Sequence, residues 1–83
     1  MARTMDRLPK LKEKTGLQRS TIYRHIELGL LPEPIHVGPR AVAWPSNETE
    51  TILAARVAGR SDDEIKKLVK LLVAARRDTD AAA

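Results

Sequence analysis

Cysteine and phenylalanine are absent from this 83-residue chain, and the remaining aromatic residues are one tyrosine and one tryptophan. Without cysteine there can be no disulfide staple, no thiolate-bound metal and no thiol nucleophile. Apolar runs fall far short of the roughly 20 residues that a membrane span requires. Met1 to Leu8 is charged and has no apolar stretch, so no signal peptide is expected and a cytoplasmic location follows. Catalytic signals are missing too: no paired carboxylates read as a cleft, no nucleophile stands with a base, and no glycine-rich loop cradles a phosphate. His25 and His36 are separated by a proline-rich connector and lack a third ligand, so neither a metal nor a cofactor is expected.

What the chain does have is positive charge, unevenly placed. The formal net charge is +4. Residues 1–45 carry eight bases and four acids, whereas residues 46–83 carry seven of each. The whole excess lies in the first half. A basic half joined to a neutral one suits a polyanion-binding face with a separate packing or assembly segment. The length allows one domain with a small core. That domain is placed at residues 7–77, with 1–6 and 78–83 as disordered tails.

Punctuation divides the domain. Leu8 to Thr15 reads as a two-turn helix, with Pro9 in its first turn and Gly16 ending it. A Gly16-Leu17-Gln18 turn leads to a second helix over Arg19–Leu28, stopped by Gly29. Ile22 and Ile26, one turn apart, mark its core face, and Ser20, Thr21, Arg24, Glu27 and Leu28 fall opposite. Pro32 and Pro34 force an extended connector. Ile35-His36-Val37 and Val42-Ala43-Trp44 read as a hairpin about Gly38-Pro39-Arg40, with Arg40 at its tip and Trp44 as core anchor. Ser46 or Asn47 starts a third helix running to Gly59, and Asn47 with Glu50 fits a capping box there. Ser61 and Glu64 fit a second box, opening a helix that runs to about Arg77. Asp62–Lys66 and Asp63–Lys67 have the spacing of helical ion pairs.

Helix, short turn, helix, then hairpin is the order of a small α+β winged helix-turn-helix. Its chemistry suits double-stranded DNA. Arg24 can pair with guanine O6 and N7, while the hydroxyls of Ser20 and Thr21 reach base edges or phosphates. Arg19 at the helix start and Lys10 on the first helix can hold the phosphate backbone. Arg40 reaches the adjacent groove. Tyr23 reads equally as a stacking contact to DNA or as a core-edge residue with a wet hydroxyl. The competing account of Ser20, Thr21 and Arg24 is an ordinary solvated helix face.

Thr15 to Arg24, Gly29 to Ile35 and Gly38 to Pro45 resemble the AlpA family of small prophage-associated transcriptional regulators, which is related to excisionases and more distantly to MerR DNA-binding domains. The resemblance spans about residues 7–58. It implies a winged-helix fold and a role in activating or repressing prophage genes, or in directing excision. By position it carries Arg19, Ser20, Thr21, Tyr23 and Arg24 onto the recognition helix and Arg40 onto the wing. Gln18 departs from the family's usual serine. Glutamine caps poorly, so the helix starts loosely at Arg19 or is capped by Ser20 about one residue later. The last helix has a wide apolar arc that includes Leu71. Intrachain packing with some self-association is favoured, and a homodimer, a cooperative multimer on DNA, or contact with RNA polymerase or an integrase are the other uses of that arc.

Overall fold

The computed structural model describes residues 4–82, with side chains through Arg77. Seven elements follow in order: β1 (Met5–Arg7), α1 (Leu8–Thr15), α2 (Arg19–Glu27), β2 (Ile35–Gly38), β3 (Ala41–Pro45), α3 (Ser46–Val57) and α4 (Asp62–Ala82). The three strands form one antiparallel sheet in the order β1-β3-β2. The described residues are therefore α+β, with four helices and a three-stranded sheet. No described helix is long and apolar enough to cross a membrane.

The core forms where these elements face one another. Leu11, Ile22, Leu30, Leu31, Trp44, Ile52, Ile65 and Val69 make one buried cluster. Trp44 is the largest of the fully buried side chains, and its indole N–H donates to the carbonyl of Pro32 at 2.9 Å. That bond satisfies the one polar atom of the ring and ties the connector to β3.

The helix ends follow local rules. Gly16, at φ 71°, closes α1 in the left-handed region, and its N–H donates to the carbonyl of Lys12 at 2.8 Å. Gly29, at φ 79°, closes α2 with the paired bonds Leu30 N–H to His25 carbonyl and Gly29 N–H to Ile26 carbonyl. This closure turns Leu30 straight into the core. The Ser61–Glu64 capping box is formed reciprocally, with Glu64 N–H donating to Ser61 Oγ at 3.2 Å and Ser61 N–H to Glu64 Oε1 at 3.3 Å. The Ser61 hydrogen bonds hold the exposed Glu64 carboxyl below its ordinary range.

Four expectations are corrected. The chain before Arg7 is not a loose tail throughout: Met5–Arg7 is a strand that pairs with β3 in the register Asp6↔Trp44. Asp6 is buried there, accepting from Lys14 Nζ at 2.6 Å, Ser46 Oγ at 2.8 Å and Thr49 Oγ1 at 2.7 Å. The Asn47–Glu50 box is not formed. Pro45 occupies the cap position, so α3 begins at Ser46, and the hydroxyls of its first turn serve Asp6 instead. The pairs Asp62–Lys66 and Asp63–Lys67 do not occur among the described residues. Asp62 pairs with Arg56 at 3.1 Å and Glu64 with Arg60 at 3.2 Å. Finally, α4 continues to Ala82, past the expected end near Arg77 and through most of the expected tail, because no breaker interrupts residues 77–82.

Burial pushes the Asp6 carboxyl up, but hydrogen bonds from Lys14, Thr49 and Ser46, with the Lys14 charge, outweigh it and hold the group below its ordinary range. A second buried pair lies across the molecule. Arg76 of α4 donates to Glu48 of α3 at 2.6 and 2.9 Å, and to the carbonyl of Glu33 in the connector at 2.9 Å.

Candidate nucleic-acid interface

The candidate surface begins at α2. Ile22 is fully buried and Ile26 half-buried, which fixes the rotation of the helix and turns Arg19, Ser20, Arg24 and Glu27 to solvent. Thr21 and Tyr23 lie at the edges of this face, each half-buried. Gln18 holds the cap position without a side-chain bond, and α2 starts at Arg19. Ser20 does not take over the cap, so the helix frame is the unshifted one. With no side-chain cap and no acid in the first turn, the N-terminal amides of α2 are left to solvent or a ligand.

Tyr23 acts as a strut. Its ring meets Trp44 edge-on, with centroids 6.4 Å apart and planes at 65°. The guanidinium of Arg19 lies over the tyrosine ring, 5.8 Å from its centroid. Such a cation–π contact is worth about 0.5–1 kcal/mol at an exposed site. The series Pro32, Trp44, Tyr23, Arg19 thus runs from the core to the surface and restrains an arginine at the start of α2.

The β2–β3 hairpin supplies the next part. Its strands pair as Ile35↔Ala43, His36↔Val42 and Gly38↔Ala41, with an irregularity between His36 and Gly38. Pro39 and Arg40 form the turn. Arg40 is exposed and has φ 58°, the one described non-glycine residue in the left-handed region. An arginine there costs about 1–2 kcal/mol relative to its preferred backbone. Glycine or asparagine would fit the turn with less strain.

Lys10 is exposed on α1. The bases also sort by partner. Lys14, Arg56, Arg60 and Arg76 are engaged in ion pairs. Among the described residues, Lys10, Arg19, Arg24 and Arg40 have none. Chemically this surface offers guanidinium forks, hydroxyls and open helix amides without acidic partners, a donor set suited to phosphate and base-edge acceptors. No described group of three or more histidine, aspartate or glutamate side chains could hold a metal ion.

The buried support from Asp6 was missed in the sequence. Three residues before a helix give too short a window for alternation to register, and only the pairing partner across β3 makes them a strand.

Comparison with known proteins bears on the whole arrangement. An uncharacterized protein, ORF88 of Enterobacteria phage P4, is 41% identical over 54 residues, covering 65% of this chain and 61% of the phage protein's length. The chain thus matches less than two thirds of that relative. No solved structure matches significantly. The profile described as prophage CP4-57 regulatory protein (AlpA) matches residues 5–57, from β1 to the end of α3, and the chain belongs to this AlpA family of prophage regulatory proteins.

Proposed function

We propose that this protein is a sequence-specific, double-stranded-DNA-binding regulator with a winged helix-turn-helix domain. In this reading α1 and α2 are the helix-turn-helix and the β2–β3 hairpin is the wing. The observation that carries it is the exposed donor set: among the described residues Lys10, Arg19, Arg24 and Arg40 stand on α1, α2 and the hairpin tip without ion pairs, beside the uncapped amides that open α2. Arg24, mid-helix and exposed, reads a guanine edge. Ser20 and Thr21 contact base edges or phosphates, Arg19 and Lys10 hold the backbone, and Arg40 enters the neighbouring groove. Tyr23 positions Arg19 rather than stacking on DNA. The reading needs no cofactor and no catalytic step, and it places the protein with DNA in the cytoplasm.

The test is affinity selection of fragmented host DNA on the purified protein near physiological salt, with Arg24→Ala in parallel. A shared motif should be enriched, and the variant should lose about 1–3 kcal/mol of discrimination at one base pair. Tandem motifs beside an integration site would assign excision, and single motifs at promoters would assign transcription control. Enrichment of the same motif by Arg24→Ala would overturn its role, and enrichment of none by the native chain would overturn specific recognition.

A further inference from the structure

A second surface lies away from α2's outer face. Between the end of α2, the connector and α4 runs an open groove of about 530 Å³. Its floor is apolar, formed by Ile26, Leu31, Val69 and Val73, and Lys70 and Arg77 stand along the α4 side. Lys66 continues that side toward the end of α2, its Cγ 3.7 Å from where a Cβ on Gly29 would lie. Lys66, Lys70, Val73 and Arg77 fall within about 60° of one another around α4, at about 100° per residue. They form a basic stripe with one apolar residue in it.

These bases are available. Asp62, one turn before Lys66, pairs with Arg56 instead, and no acid stands three or four residues before Lys70 or Arg77. Among the described residues none of Lys66, Lys70 and Arg77 has an ion pair. Among the described residues, Glu33 on the connector side is the one acid lining the groove.

DNA does not fit this surface. Ile26 and Arg24 point about 160° apart around α2, so a duplex against Arg24 lies on the opposite side of the helix. Phosphates also gain nothing from an apolar floor. The geometry points to a docking groove for an acidic amphipathic helix of a partner protein. Apolar side chains of that helix lie on Ile26, Leu31, Val69 and Val73, and its carboxylates face Lys66, Lys70 and Arg77. Glu33 repels carboxylates on the other lip and so fixes which way the helix lies. From Val69 to Arg77 the groove runs about 12 Å, room for about two helical turns. The groove and its bases stand without the DNA reading, and only the placement of a duplex on the opposite side of α2 rests on it.

The test uses the full chain, isotopically labelled, titrated with a synthetic amphipathic peptide bearing leucines on one stripe and glutamates elsewhere. The same peptide with lysines for glutamates is the control. The acidic peptide should shift the amides of residues 26–31 and 69–77, and a Lys70→Glu/Arg77→Glu variant with unchanged melting temperature should bind it at least tenfold more weakly. Equal binding of both peptides, shifts confined to other residues, or no shifts at millimolar peptide would overturn the proposal. So would the same shifts on concentrating the protein alone, which would make a second copy the occupant, or on adding a duplex, which would make it DNA.

Discussion

Arg40 and Asp6 show how differently single residues answer to the same fold. Arg40 is strained and exposed, and makes no side-chain hydrogen bond or ion pair among the described residues, so its side chain is dispensable to folding. Replacing it with glycine removes the left-handed penalty but adds freedom to the unfolded chain, about 0.4–1 kcal/mol the other way. Thermal melting of Arg40→Gly should therefore differ from the native protein by no more than about 1 kcal/mol in stability, while affinity for the selected duplex falls. An equal loss of both would remove the argument for a DNA-facing tip. Asp6 is the reverse case. Its carboxyl is held below its ordinary range by its three donors, so the stability it contributes is fully present above about pH 4. That contribution is lost as pH falls through the lowered folded value. Asp6→Asn should cost about 2–3 kcal/mol at neutral pH, and denaturant midpoints followed downward in pH should lack the native protein's acid step. Arg40 was legible in the sequence because a Gly-Pro pair announces a turn. Asp6 was not, because its partners lie 8, 40 and 43 residues away.

Among the elements, those with local punctuation were read correctly. The α1 and α2 spans, the hairpin and the Ser61–Glu64 start all rest on signals inside or next to the element itself, and the structure contains each. The Asn47–Glu50 box failed where a distant group competed. Ser46 and Thr49 serve Asp6, α3 takes Ser46, the earlier of its two expected starts, and Asn47 is left exposed. The candidate face of α2 was legible from the burial of Ile22, although half-buried Thr21 narrows it. The closure of α2 makes its own prediction. A Cβ on Gly29 would meet only Lys66 at ordinary contact distance, so the penalty of Gly29→Ala is conformational rather than steric. About 1–2 kcal/mol should be lost, read as a lower denaturant midpoint with an unchanged slope. A changed slope would mean that α2 had come loose instead of being strained.

At the scale of the whole molecule, α4 is fastened by Ile65, Val69 and the Arg76–Glu48 pair. Glu48 is 2% exposed, so removing its partner strands a buried charge. Arg76→Met should destabilise by about 3–5 kcal/mol, and adding Glu48→Gln should recover much of that loss. Failure of the second change to recover any stability would show that Arg76 acts through the Glu33 carbonyl instead. Thr4 and Asp6, near the start of the chain, bind Ser46 and Thr49, while Arg76, near its end, binds Glu48. Both arms therefore knot into the same opening turn of α3. An exopeptidase working inward from either side would meet no stable trimmed product once it passed Thr4 or Arg76, and the entire domain should disappear in one step.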